Sequence, residues 1–167
     1  MPYFVKTETI KRHYLSEIDF KSKTIKEHKQ WVKNLIDQGL LTILQNCRKQ
    51  VVVVVHCNHA QEIDAAVASA CQRLKTINVT LLNQSVLLKG VNDDAKTLIN
   101  LSEQLFACGV LPYYLHRLDQ VAGAAHFDVS KNKQMQIIAQ MRRELSGYLM
   151  PKFVEEIAGD TSKRLIL

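Results

Sequence analysis

The sequence lacks the cysteine spacings that build metal centres. Its four cysteines, Cys47, Cys57, Cys71 and Cys108, are separated by 10, 14 and 37 residues, so they include no C-x-x-C pair and no cluster of three. A zinc ribbon or an iron–sulfur cradle needs such spacing, and neither is encoded in this chain. The cysteines are expected to be reduced thiols, several of them buried.

Long apolar runs are also missing. No stretch of about 18 uncharged apolar residues occurs, so we expect no membrane-spanning helix. The first fifteen residues, MPYFVKTETIKRHYL, have scattered charges and no apolar centre, unlike a secretion signal. The chain has 167 residues with 47% hydrophobic content, which predicts one packed domain. A cytoplasmic location is the expectation.

Charge is uneven along the chain. The net charge is +6, from 22 basic and 16 acidic residues, and much of the excess lies in the first fifty residues. A basic segment attracts nucleic acid or phosphate, but it is also typical of a solvated helix face. No helix-turn-helix pattern and no interleaved aromatic residues support nucleic-acid binding, so we do not expect it.

Three apolar runs predict β-strands, each followed by an amphipathic helix. Residues 51–55 are five consecutive valines, which favour a strand buried on both faces. The other two runs are Val79–Leu88 and Val110–Leu115. Alternating strands and helices predict an α/β fold with a parallel sheet. The helical patterns cover 24–47, 60–75, 95–107 and 130–145.

This arrangement predicts a partial, open TIM-like β/α barrel with about three parallel strands and flanking helices. A closed barrel needs roughly 250 residues, more than this chain has. We expect a basic, mainly helical segment at 1–50, βα units at 51–146 and a carboxyl-terminal segment at 147–167. An incomplete barrel exposes a sheet edge and apolar surface, so either a second chain or a second copy covers them, or the fragment is expected to be marginally stable.

Polar residues follow the predicted strands, at the sheet edge where ligands bind in parallel α/β folds. His56 and Asn58 come after the valine strand, and His116 and Asp119 come after the last one. The His-Cys-x-His pattern that begins at His56 is a poor metal cage without a fourth ligand, because strand residues alternate faces. No metal site is therefore predicted.

Four stretches resemble the lysine 2,3-aminomutase family: Asn83–Leu88, Gly90–Asp93, Leu111–His116 and Gly123–Phe127. That family consists of radical S-adenosylmethionine (SAM) enzymes that also use pyridoxal phosphate (PLP). The resemblance runs from about residue 50 to Lys163 and corresponds to the carboxyl-terminal part of a family member. It is strongest to the branch that converts α-lysine to β-lysine for attachment to elongation factor P.

The resemblance implies a set of site residues. Lys163, in the pattern Gly159-x-x-Ser162-Lys163, matches the lysine that forms an aldimine with PLP. Asp119 and Glu156 match the positions that bind the substrate lysine, although Glu155 next to Glu156 leaves that assignment uncertain by one residue. Further cofactor contacts are implied for residues at the strand ends: His56, Asn58, Asn83, Gln84 and Ser85. On the residues alone, without the resemblance, Lys163 is more typical of an ordinary surface lysine.

The resemblance also implies SAM and a [4Fe–4S] cluster, which needs C-x-x-x-C-x-x-C. The chain has no such motif. Three hypotheses follow. The chain is a truncated aminomutase that is inactive alone, a subunit of a split aminomutase whose cluster lies on another chain, or a non-catalytic module that binds PLP or an amino acid.

Overall fold

The computed structural model describes residues 4–5, 38–119, 123–157 and 159–166. Within them the backbone forms one six-stranded sheet in which the order of the strands follows the order of the chain. The strands are β1 (Phe4–Val5), β2 (Val52–His56), β3 (Thr80–Val86), β4 (Val110–His116), β5 (Lys152–Glu155) and β6 (Arg164–Leu165).

The sheet is mostly parallel. β1 pairs with β2 in parallel, and β4 pairs with β5 in parallel with His116 opposite Val154. The last pair, β5 with β6, is antiparallel, with Glu155 opposite Arg164. Parallel neighbours require a crossover, and the intervening helices supply it.

In the described part of the chain, four α-helices lie between the strands: α1 (Gln38–Gln45), α2 (Ala65–Thr76), α3 (Ala95–Ala107) and α4 (Lys131–Glu144). Short 3₁₀ turns occupy Ala60–Glu62, Ala125–Phe127 and Gly147–Leu149. The Asp64 carboxylate caps α2 by accepting from the N–H groups of Ala66 and Val67, as aspartate does at helix starts. After α3, Gly109 has φ +79°, a conformation that suits glycine because a Cβ would be strained there.

The described residues divide into two compact units. One lies within Met1–Val55, Ile63–Leu82 and Cys108–Val110, and the other comprises His56–Glu62, Asn83–Ala107 and Leu111–Leu167. The first has a core that includes Leu44, Leu74 and Leu81, all less than 9% exposed. In the second unit α3 packs against α4, around buried residues that include Leu98, Leu105, Leu115, Ile138 and Met141.

The predicted α/β class and its three long strands are confirmed. The last predicted strand ended at Leu115, whereas the carboxyl-terminal segment also contains β5, for which no strand was predicted. Of the helix predicted over 24–47, the described part is α1, and residues 24–37 lie outside the described residues. The predicted boundaries at residues 50 and 146 stay predictions.

None of the described helices is a candidate membrane span. Among the described residues, none of the helices has both the length and the apolar character needed to cross a bilayer.

Candidate functional site

Lys163 and Glu156 face each other at the loop end of the β5–β6 hairpin. The register pairs Val154 with Leu165 and Glu155 with Arg164, so the next rung brings Glu156 opposite Lys163. The Lys163 ammonium donates a hydrogen bond to Glu156 Oε1. The two side chains are 28% and 51% exposed, which leaves the amine accessible from solvent.

The Lys163 ammonium also lies over an aromatic ring. Its Nζ is 5.7 Å from the centroid of the Tyr114 ring, within the range of a cation–π interaction. Tyr114 is on β4, two residues before the end of that strand, and its hydroxyl accepts from the Tyr113 hydroxyl at 2.9 Å. The amine is therefore held between a carboxylate from β5 and a ring from β4.

His116 is the last residue of β4, and its side chain is 12% exposed. Its Nδ1 is 3.9 Å from Glu156 Oε1, too far for a hydrogen bond but close enough for electrostatic attraction. Its Nε2 is buried, and no hydrogen-bond partner for it exists in the part of the chain that the structure describes. Buried polar atoms without a hydrogen-bond partner are uncommon in folded proteins.

The electrostatic surroundings keep His116 neutral. Burial lowers the pKa of His116 first of all, the positive charge of Lys163 and the neighbouring His56 lower it further, and Asp119 opposes them. The result is a pKa of about 4, so the imidazole is uncharged at neutral pH. We call His116, Asp119, Glu156 and Lys163 the edge cluster. All four lie in the second unit.

The two adjacent glutamates have different partners. Glu155 Oε2 accepts from the Arg117 guanidinium at 3.1 Å, whereas Glu156 contacts Lys163. In the same hairpin the Arg164 guanidinium pairs with Asp160 at 2.8 Å. Glu156, and not Glu155, is therefore the carboxylate that belongs to the edge cluster.

Two of the predicted cofactor residues are engaged with the backbone. The Asn83 amide, 2% exposed, accepts from Cys57 N at 2.9 Å and donates to Cys57 O at 3.1 Å. Asn58 Oδ1 accepts from Val86 N at 2.8 Å. These bonds fix the loop that follows β2 against β3, so both asparagines shape the backbone beside the edge cluster.

Asn92 is a structural residue that the sequence analysis did not single out. It is fully buried, donates through Nδ2 to Asn58 O at 2.8 Å and Val86 O at 2.9 Å, and accepts from Leu88 N at 2.7 Å. An asparagine in a Gly-x-Asn-Asp turn is typically read as a turn residue, since its side chain often bonds to nearby backbone. Its long-range bond to Asn58 has no sequence signal.

The other predicted cofactor residues are Ser85, Gln84 and His56. Ser85 is 4% exposed and its hydroxyl donates to Tyr114 O at 3.5 Å, a long contact. Gln84 is half-buried and His56 is exposed. His56 lies close enough to His116 to influence its charge. The predicted cofactor roles of these residues stay predictions.

The residues of this chain fit PLP but do not fit an iron–sulfur cluster. A primary amine next to an unpartnered buried imidazole nitrogen fits PLP, which needs an attachment amine and polar contacts around its ring. An iron–sulfur cluster does not fit. Cys57, Cys71 and Cys108 are buried, Cys47 is exposed, and the described residues contain no group of three or more potential metal ligands.

Comparison with known proteins finds L-lysine 2,3-aminomutases among the relatives of this chain. Over 130 residues the chain is 56% identical to an L-lysine 2,3-aminomutase of Haemophilus influenzae, covering 78% of this chain and 38% of that protein. It is 49% identical over 128 residues to the Escherichia coli L-lysine 2,3-aminomutase, covering 77% and 37%. The Buchnera aphidicola protein of the same name is 43% identical over 132 residues, covering 79% and 39%.

The chain thus spans less than two fifths of the length of these curated relatives. No family model matches it. Among solved structures, a radical SAM methyltransferase from Sphaerobacter thermophilus aligns with a TM-score of 0.48 at 14% identity, covering 76% of this chain and 38% of that one. A domain of a pyruvate-formate lyase-activating enzyme from Bacteroides vulgatus aligns with a TM-score of 0.47 at 12% identity, covering 84% and 98%. At these scores the structural likenesses carry no functional argument.

Proposed function

We propose that this chain, which is similar over most of its length to part of L-lysine 2,3-aminomutases, forms the PLP- and lysine-binding portion of such an enzyme. The reaction would convert α-lysine to β-lysine. Identity of 56% over 130 residues to a relative of that name supports the reaction class. The observation that carries the proposal is the Lys163 amine at the end of the sheet, beside Glu156 and His116.

Lys163 is the proposed attachment point for the cofactor. PLP, when bound, supplies a carbonyl that condenses with amines and a ring that withdraws electrons. Lys163 presents its amine at the end of a short hairpin, so its backbone is fixed by the β5–β6 ladder. Glu156 accepts the amine's hydrogen bond and can take up or return its proton. The Tyr114 ring shields one side of the amine from water.

Asp119 and Glu156 are the proposed substrate contacts. Both are carboxylates near His116, and both are exposed, so a cationic amino acid can reach them. An ammonium group is attracted to nearby carboxylates, most strongly at close range. These residues would select lysine over neutral amino acids of similar length.

The loop after β2 would complete the cofactor side of the site. His56, Asn58, Gln84 and Ser85 are proposed to lie near PLP or SAM, as the resemblance implies. Asn83 is part of the same proposal, although its buried amide already bonds to the Cys57 backbone. Asn83 would therefore act mainly by holding that loop in place.

The radical-generating part must come from elsewhere. The residues of this chain do not fit a [4Fe–4S] cluster, so we derive no step through it or through SAM. We propose that the cluster ligands lie outside these 167 residues, on the same polypeptide or on another chain. We further propose a cytoplasmic location and, following the resemblance of Gly159–Lys163, that the β-lysine product serves elongation factor P.

Spectroscopy on the full chain tests the cofactor assignment. Added PLP should give an absorbance band near about 420 nm, the band of PLP joined to an amine. Lys163→Ala should abolish the band. Lys152→Ala is the matched control, because Lys152 Nζ also lies 5.7 Å from a tyrosine ring centroid, that of Tyr113, and it should keep the band. Equal bands in all three proteins would refute the assignment.

The absent cluster motif favours a second candidate, a non-catalytic module that binds PLP or a basic amino acid. The two candidates differ when the missing part is restored. Co-expression with a segment of a relative that contains C-x-x-x-C-x-x-C should yield β-lysine if the chain is part of a split or longer enzyme. PLP binding without any β-lysine would favour the module.

A further inference from the structure

His116 carries a buried nitrogen atom that the proposed reaction has not used. Its Nε2 has no hydrogen-bond partner among the described residues, and its side chain is 12% exposed. Leaving a buried polar atom unsatisfied is costly, and most such atoms in folded proteins are satisfied by protein, water or ligand. The atom sits within the edge cluster, so a ligand bound there is the expected partner.

The tautomer of His116 follows from its neighbours. Nδ1 is the nitrogen that faces a carboxylate, at 3.9 Å from Glu156 Oε1. A negative charge on that side favours the N–H on Nδ1 and leaves the lone pair on Nε2. Lys163, Glu156, Asp119 and His56 are charged or titratable groups near this ring. Burial, Lys163 and His56 keep the ring neutral, and Asp119 opposes them. Nε2 is therefore a hydrogen-bond acceptor.

An ammonium group can donate the hydrogen bond that Nε2 can accept. An alkylammonium has three N–H donors and no acceptor. The proposed substrate contacts Asp119 and Glu156 offer two acceptors, and Nε2 offers a third without adding negative charge. The Lys163 ammonium itself pairs with Glu156 and lies over Tyr114, so a primary ammonium already has a place in this cluster.

We propose that His116 Nε2 is the third hydrogen-bond acceptor for the side-chain ammonium of the bound amino acid, together with Asp119 and Glu156. This inference rests on the proposed function, because it assigns a further contact in the same site. It makes His116 a ligand-contacting residue that determines specificity for a terminal amine. A neutral histidine suits this position because a protonated ring would repel the ligand.

The test uses the full chain with Lys163→Ala, which removes the internal ammonium from Glu156 and makes the measurement independent of PLP. Titration calorimetry would measure binding of 6-aminohexanoate, which keeps the terminal ammonium, and of hexanoate, which lacks it. Adding His116→Phe should weaken 6-aminohexanoate binding by about tenfold or more, since a hydrogen bond to a charged group is lost. Adding His116→Gln instead, which keeps an acceptor, should weaken it less, and hexanoate should not bind any of these proteins.

Two outcomes would overturn the inference. One is unchanged 6-aminohexanoate affinity in the His116→Phe protein, and the other is no binding of 6-aminohexanoate to the Lys163→Ala chain. If His116→Phe disturbs folding, as circular dichroism would show, the comparison passes to His116→Gln, which must then bind more weakly than the Lys163→Ala parent. The cofactor assignment is judged separately by the PLP band of the wild-type chain, so either idea can fail alone.

Discussion

The Lys163 ammonium is bonded to Glu156 directly across the β5–β6 hairpin, one rung beyond the pair Glu155 and Arg164. A carboxylate in this position favours the charged form of the amine, whereas attachment of PLP requires the neutral amine. Glu156 thus holds the amine in place and also restrains its reaction. This relationship leads to the first prediction.

Glu156→Gln should make PLP attach faster at neutral pH, because the neutral amide no longer stabilises the protonated amine. The rate at which the absorbance band appears after mixing with PLP is the measurement. Glu155→Gln is the matched control, since Glu155 pairs with Arg117 instead, and its rate should equal that of the wild-type chain. Equal acceleration in both variants would show that the two glutamates are not distinguished as described.

The titration of His116 should report the charges around it. Nuclear magnetic resonance should find the pKa of His116 near 4, well below its ordinary value of 6.5. Lys163→Met should raise this pKa because it removes a nearby positive charge, and Asp119→Asn should lower it because it removes a negative one. A wild-type His116 that titrates near 6.5 would contradict the buried, neutral state.

The same histidine should make folding sensitive to acid. Because the pKa of His116 is lower in the folded chain than in the unfolded chain, the unfolded chain binds more protons between pH 6.5 and about 4. The free energy of unfolding should therefore fall as the pH drops through this window, by at most about 3 kcal/mol for this group. Urea unfolding at several pH values should show a shallower decline in His116→Gln, and parallel declines would argue against the assignment.

Asn92 should be critical for stability. Asn92→Ala removes three hydrogen bonds at a fully buried site and leaves the Asn58 and Val86 carbonyl groups without that donor, which should cost about 2–4 kcal/mol. Asn100→Ala is the control, because Asn100 is exposed on α3 and alanine is a better helix former, so its stability should change by less than about 0.5 kcal/mol. Chemical denaturation of both variants gives the comparison.

The sequence predicted the elements whose signals are local. The five valines, the helical spacing around Leu98 and Leu105, and the glycine after α3 each specify their structure through neighbouring residues, and the three long strands were found this way. β5 was missed because its four residues follow Pro151 in a short apolar stretch with no clear alternation. Its strand state depends on pairing with β4, which is distant in sequence, and with β6.

The residues of the candidate site could be named from the sequence, but their contacts could not. The resemblance picked out Lys163 and Glu156, and their contact follows from a hairpin register that the sequence does not display. Asn58 and Asn83 were singled out for cofactor contact, yet their bonds to Val86 and Cys57 depend on the tertiary fold. The unpartnered nitrogen of His116 could be seen only once β4 and the hairpin were placed side by side.

The central claim is that Lys163 binds PLP, and chemical trapping tests it most directly. The full chain would be mixed with PLP, treated with borohydride to make the linkage permanent, digested, and analysed by mass spectrometry. We expect the modified peptide to contain Lys163 and Lys152 to remain unmodified. A label spread over many surface lysines, or concentrated on a lysine other than Lys163, would contradict it.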